Sequence, residues 1–322
     1  MNIIETHALT RDYGKMRAVD RLDMHVAAGE IYGFVGKNGA GKSTAMKMLA
    51  GLVNPSSGEI ELFGASLRSR RARQGFSRIG ALIEDPGVLP TFSALENLMC
   101  KALALGVVRP DAHCRELLEL VGLEDSGPLP VKKFSLGMKQ RLGLALALVG
   151  GPDLLLLDEP FNGLDPESTR AMRGALVRLN RERGVTMVIS SHVLDQLDRM
   201  ATSFGVIRAG RMVRELSMDD LHRECGSSIR VRTNDPARAL AILEEALPGA
   251  VLRAEPDGSI LASAPARNAA TSFGGAAADP MAPSAEDVAR PLTDHGQLIL
   301  ELSHLERDID EYFVELMGGA DA

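Results

Sequence analysis

The run Gly36-Lys37-Asn38-Gly39-Ala40-Gly41-Lys42-Ser43-Thr44 fills every fixed position of the phosphate loop, G-x-x-x-x-G-K-[ST], with Gly36, Gly41, Lys42 and Ser43. It constrains the fold more than any other stretch, because such a loop works only between a buried strand and the start of a helix. Ile31-Tyr32-Gly33-Phe34-Val35 reads as that strand, and Ser43 to Leu52 as the helix, closing at Gly51. Glycines permit positive φ and turn successive N–H groups toward one concavity, and the helix adds its positive end; together these make an anion site. Lys42 is placed to hold the β- and γ-phosphates of a nucleotide, and Ser43 to offer a hydroxyl to Mg²⁺. Thr44 extends donors toward the α- and β-phosphates, with Asn38 and Gly39 in the loop around them.

A second run, Asp153-Leu154-Leu155-Leu156-Leu157-Asp158-Glu159, sets four leucines before two acids. A strand apolar on both faces belongs in the middle of a parallel sheet, and such sheets collect their ligands at the strand C-termini. Asp158 is thereby a candidate to hold Mg²⁺ through water, and Glu159 a candidate general base on the attacking water. An N-cap for the next helix is the blander role for these acids, and the upstream phosphate loop weighs against it. Val185 to Ser190 is a further β-branched strand, and it delivers Ser191-His192 to the same edge. A lone histidine is more often structural, but this position makes His192 a catalytic candidate.

Around these runs the chain reads as an α/β core. Ile3 to Leu9 and Leu22 to Val26 alternate as strands, with Arg11 to Lys15 as a turn that displays Tyr13. The Tyr13 ring could stack on a base there or simply edge the solvent. Ser93-Ala94-Leu95-Glu96 is a capping box, and from about 88 to 150 the pattern is helical, as in a subdomain inserted into the core. Phe204 to Ile207 and Met212 to Leu216 read as a closing hairpin. From Ile229 a small α+β unit begins: a strand to Thr233, a helix from Asp235-Pro236 to Leu247, and a hairpin turning at Asp257-Gly258. Residues 263–295, rich in Ala, Pro, Gly and Ser, read as a flexible segment. Leu298 to Leu302 is expected as a strand, and Ser303 to Glu306 as the cap of a final helix.

Composition narrows the function. With 45% apolar and 25% charged residues the 322-residue chain is globular, and a net charge of −7 argues against a nucleic-acid partner held by a broad basic face. Arg68, Arg70, Arg71, Arg73 and Arg78 form a local basic run, read as a solvated face. Cys100, Cys114 and Cys225 match no metal spacing. The N-terminus lacks the pattern of a secretory signal, and Leu142 to Leu157, broken at Gly150-Gly151-Pro152, is too short to cross a membrane. A cytoplasmic chain is expected, and any membrane role needs a second one.

Phe134-Ser135-Leu136-Gly137-Met138-Lys139-Gln140-Arg141, placed between the helical stretch and Asp158, resembles the signature of the ABC-type ATPases. Tyr13 resembles their adenine-stacking aromatic, Asn162-Gly163-Leu164-Asp165 their D-loop, and His192 their switch histidine. The resemblance covers about residues 1 to 220. It implies a P-loop, RecA-like core with an antiparallel β subdomain and an inserted helical subdomain, and it implies ATP and Mg²⁺ as cofactors. Two copies would bind head to tail, with Ser135 and Gly137 of one, and Asp165, near the nucleotide held by Lys42 of the other. Glu84 stands where the family has a metal-binding glutamine, and Leu136 and Met138 depart from the usual signature. These departures, with Ile-Ser-Ser-His-Val-Leu and a small C-terminal domain, resemble the ATPase subunits of bacitracin-resistance and lantibiotic-immunity exporters.

The resemblance thus implies an ATPase domain over 1–222 and an accessory domain over 223–322. The ATPase would power a separate ABC-2 type permease from the cytoplasmic face of the membrane, exporting an antibiotic peptide or another amphipathic substrate. The alternative is a soluble ABC ATPase working on ribosomes or DNA. A single cassette without sustained heptads favours the transporter.

Overall fold

Two long strands, β1 (Asn2–Tyr13) and β2 (Met16–Ala27), open the computed structural model, which describes residues 1–67, 75–225, 227–263, 283–306 and 309–318. They meet at Gly14-Lys15, so the turn is shorter than the Arg11 to Lys15 expected from sequence. Register shifts along the β1–β2 ladder break the apolar alternation that marks a strand, and an Arg17 to Asp12 hydrogen bond of 2.8 Å holds its polar end together. Next come β3 (Ile31–Val35), buried at every residue, and α1 (Lys42–Leu49). The chain then returns through β4 (Ser57–Leu62) and β5 (Ala65–Ser66), giving an antiparallel sheet in the order β2-β1-β4-β5. Arg68, Arg70, Arg71 and Arg73 lie outside the described residues; Arg78 sits over the Phe63 ring and binds Asp153.

β6 (Ile79–Leu82) leads to the helical part: α2 (Ala94–Ala104), α3 (Pro110–Leu120) and α4 (Leu136–Leu148). The Ser93–Glu96 capping box is formed in both directions, satisfying donors that the first turn of α2 would leave open. Ser135 caps α4 by accepting from the Met138 N–H at 3.2 Å. The core resumes with β7 (Leu154–Asp158), α5 (Pro166–Arg183), β8 (Thr186–Ser191), β9 (Ser203–Arg208) and β10 (Arg211–Ser217). Their sheet runs β10-β9-β3-β8-β7-β6, parallel except for β10. β3, β7 and β8 are buried along their whole length, as strands covered on both faces must be. α1 lies in the core beside the antiparallel sheet, where Ala45, Met46, Met48 and Leu49 pack with Ile4, Leu9, Leu22 and Met24. Each fully buried Leu, Ile or Met of this set contributes roughly 1.5–3 kcal/mol.

Contacts divide the chain into two units, Met1–Met218 with Leu316–Ala322 and Asp219–Glu315. α6 (Met218–Cys225) begins the smaller one, followed by β11 (Ser227–Thr233), α7 (Pro236–Ala246), β12 (Val251–Ala254), β13 (Ser259–Ser263), α8 (Ala285–Asp294) and β14 (Ile299–Glu306); α9 (Ile309–Leu316) ends the described chain. The sheet order β12-β13-β11-β14, antiparallel throughout, makes β11 to β14 a split β-α-β of ferredoxin-like topology.

Two expectations are corrected here. The segment 263–295 is not flexible to its end. Ser284 and Asp287 form a capping box, and α8 buries Val288 and Leu292 in the core of the small unit. Two apolar positions at i and i+4 suffice for one helical stripe, but they are diluted by Ala, Asp and the mid-helix Pro291. The remainder of that stretch, 264–282, lies outside the described residues. Ser303 to Glu306 belong to β14 and pair with β11 instead of capping a helix. Among the described residues, Cys114 is a buried and Cys100 an exposed free thiol.

Candidate functional site

Sheet register assembles the site. β8 lies between β3 and β7, with Val35 opposite Ser191 and Ser190 opposite Asp158. The three strands are parallel, so the phosphate loop, Ser190 to His192, and Asp158-Glu159 emerge side by side. The Gly36 N–H donates to the Ser191 carbonyl at 3.3 Å, tying the loop to β8. Two glycines are required by space. A Cβ on Gly36 would lie 2.5 Å from the Ile207 carbonyl oxygen, and one on Gly41, at φ 107°, 2.5 Å from that of Ala18. Gly41 is also the N-cap of α1 and no side chain caps that helix, so its first N–H groups face the loop. Asn38 and Gly39 form the turn of the loop, with the Ala40 N–H bonded to the Lys37 carbonyl; Ser43 and Thr44 stand in the first turn of α1.

Lys42 is 5% exposed and folds back over the loop. Its Nζ donates to the Gly36 carbonyl at 2.6 Å and forms an ion pair with Glu159 Oε1 at 3.2 Å. Glu159 Oε2 lies 2.8 Å from His192 Nδ1, so one carboxylate is shared by the loop lysine and the histidine. Asp158 is held by Ser190, whose Oγ donates to Oδ1 at 2.6 Å and accepts the Glu159 N–H at 2.9 Å. Ser190 is fully buried and fixes both acids. Sequence reading passed over it, although a serine ending a buried β-branched strand beside the acid-bearing one was the available signal.

Among the described residues no group of three or more His, Cys, Asp or Glu could hold a metal ion. Mg²⁺ suits this donor set nonetheless: it takes oxygen ligands and commonly relies on one or two protein groups plus substrate phosphates. The Ser43 hydroxyl and Asp158 are oxygen donors of that kind. Glu84, the third candidate, is engaged elsewhere, its Oε1 accepting from Lys47 Nζ at 2.5 Å. Tyr13 is exposed at the end of β1, with the Arg11 guanidinium 4.6 Å from its ring centre.

Ser135, Gly137 and Asp165 form a separate group. Asp165 caps α5, accepting from the Ser168 N–H and Oγ at 2.8 Å each, and these bonds hold its carboxyl below the ordinary range. A Cβ on Gly137 would lie 2.8 Å from Ser168 Oγ, so Ser168 joins the start of α4 to that of α5. The structure thus brings Lys42, Asp158, Glu159 and His192 together. No bond links Ser135, Gly137 or Asp165 to that set among the described residues.

A phosphate loop entering α1, an acid pair ending the neighbouring parallel strand and a histidine on the strand between define a P-loop nucleotide hydrolase. The profile of the family described as ABC transporter matches residues 19–162. The bacitracin transport ATP-binding protein of Bacillus licheniformis is 36% identical over 317 residues, 98% of each chain. A lantibiotic transport ATP-binding protein of Streptococcus pyogenes is 39% identical over 217 residues, 67% of this chain and 92% of that one. The solved structure of cbiO1 from Clostridium perfringens, part of the ABC transporter complex cbiONQ, has a TM-score of 0.61 at 25% identity, covering 77% of this chain and 96% of its own. The chain belongs to the ABC transporter ATP-binding proteins, and it is an ATPase.

Proposed function

We propose that the chain powers a separate ABC-2 type permease, as a head-to-tail dimer on the cytoplasmic face of the membrane, and exports an antibiotic peptide or related amphipathic compound. The observation that carries the reading is the Glu159 carboxylate set between Lys42 and His192. Lys42 exchanges Glu159 for the β- and γ-phosphates of ATP, a stronger anionic partner. Glu159, still oriented by His192, is then free to take the proton of the attacking water. Ser43 and Asp158 would hold Mg²⁺, which when bound would supply positive charge to the phosphate oxygens. Tyr13 stacks on the adenine. Ser135, Gly137 and Asp165 complete the site of the opposite copy, in keeping with their separation from Lys42 within one chain.

No helix among the described residues is long and apolar enough to cross a membrane, and the membrane passage is assigned in this reading to the permease. The bacitracin relative matches over a length that must include the small C-terminal unit, whereas the lantibiotic match spans 217 residues. This favours a bacitracin-like peptide as substrate. The test is co-expression with a candidate ABC-2 type permease, sought first in the neighbouring reading frames, in a bacitracin-sensitive host. Co-purification of the two chains and resistance that is lost with Lys42→Ala are expected; an ATPase that purifies alone and confers no resistance would overturn the proposal.

A further inference from the structure

Glu84 puts a carboxylate two residues past β6, whose Leu82 pairs with Leu157 of β7, so its negative charge emerges on the sheet edge that carries Asp158 and Glu159. The structure places a cation on it. Lys47 Nζ lies 2.5 Å from Glu84 Oε1, and the pair is partly exposed, Lys47 at 27% and Glu84 at 64% of their side chains. Lys47 is held above its ordinary pKa, chiefly by that hydrogen bond, with further contributions from the charges of Glu84, Tyr13 and Asp158. Lys47 follows Ser43 by four residues in α1, so it projects from the same helix face one turn on. Ser43, whose hydroxyl is assigned to Mg²⁺, and Lys47, which holds Glu84, are thus about one helical pitch, ~5.4 Å, apart along the axis of α1.

The loop that carries Glu84 is anchored at both ends. Glu84 itself has φ 62°, in the left-handed region that few non-glycine residues adopt. Two residues on, Pro86 packs so closely against α4 that a Cβ on Gly143 would lie 2.6 Å from its own. The loop thus spans from α1, which begins at the phosphate loop, to α4, which begins at Ser135.

We propose that Lys47 is a positioning residue, the resident counter-cation of Glu84, and that it competes with Mg²⁺ for that carboxylate when nucleotide binds. Without metal, Lys47 neutralises Glu84 and keeps it from repelling Asp158. With metal, Glu84 passes from the ammonium to the divalent ion. Lys47 therefore sets how much Mg²⁺ is needed before the 83–87 loop is drawn toward the nucleotide. The inference rests on the Mg²⁺ site at Ser43 and Asp158 proposed above.

The test is a double-mutant cycle on the full chain, reading equilibrium binding of a non-hydrolysable fluorescent ATP analogue against Mg²⁺ concentration. Lys47→Met, which keeps the aliphatic stem, should lower the Mg²⁺ midpoint by roughly two- to five-fold, the scale of a partly exposed ion pair. Lys47→Arg should leave the midpoint near that of the unsubstituted protein. In a Glu84→Gln background, Lys47→Met should produce no shift. An equal shift in both backgrounds, or a higher midpoint for Lys47→Met alone, would overturn the exchange. Failure of the underlying site is separable, because it would appear as nucleotide binding without Mg²⁺ dependence in the unsubstituted protein and in Ser43→Ala.

Discussion

His192 Nδ1 stands 2.8 Å from Glu159 Oε2, on the side of the carboxylate opposite Lys42. The histidine therefore fixes the orientation of Glu159 whether or not the lysine is engaged. Glu159→Gln should bind ATP as before and lose turnover by ~10²–10⁴-fold, the usual contribution of a general base. His192→Ala should lose less, because the general base is still present and only the contact that orients it is removed. Phosphate release under saturating ATP measures both; Glu159→Gln hydrolysing at the parent rate would remove it from the base role.

Ser190→Ala takes a donor from a buried carboxylate and an acceptor from the Glu159 N–H at once. A destabilisation of about 1–3 kcal/mol is expected, that of an unsatisfied buried polar group, together with reduced turnover. Urea unfolding followed by circular dichroism gives the first figure, and an unchanged midpoint would show that water replaces the hydroxyl without loss.

Leu292→Ala should destabilise the small unit by about 2–5 kcal/mol, since Leu292 is fully buried in its core. Deleting 265–293 removes most of α8 and should unfold the unit altogether. Differential scanning calorimetry would register either change as a shifted or missing transition, and an intact transition after the deletion would mean that α8 is dispensable.

Asp257 is lowered from 3.8 to about 2, first by the Ser259 hydroxyl and N–H and then by the Arg230 guanidinium. Because the folded value lies below the unfolded one, its stabilisation is fully present above pH 3.8. It is lost as the pH falls toward 2. Asp257→Asn should flatten the pH dependence of the melting temperature in that window and leave the neutral-pH slope unchanged. An undiminished acid slope in the variant would assign it to other groups.

Legibility followed chain distance. β3, β7 and the loop between β3 and α1 were readable because continuous apolar runs and a fixed motif each lie within about ten residues. The Ser93 capping box was readable for the same reason. The end of β1 was not, because Arg11 and Asp12 look like turn residues until Arg11 finds the Asn54 carbonyl and Asp12 finds Arg17. Of the site, Lys42, Asp158, Glu159 and His192 stood out as separate candidates, but their mutual contacts depend on strand order. Lys47 and Ser190 were missed because their partners, Glu84 and Asp158, are 37 and 32 positions away. α8 was hidden by composition, since only packing shows that Val288 and Leu292 are enough.

The small unit's first and last strands, β11 and β14, are ladder neighbours, and Ser227 faces Glu306 where the β-α-β-β-α-β path begins and ends. A pull on the two flanking segments would therefore load that antiparallel ladder from one end, breaking its perpendicular hydrogen bonds in succession rather than shearing them together. Mechanically the unit is a zipper with both tabs on the same side, a geometry that yields at low force.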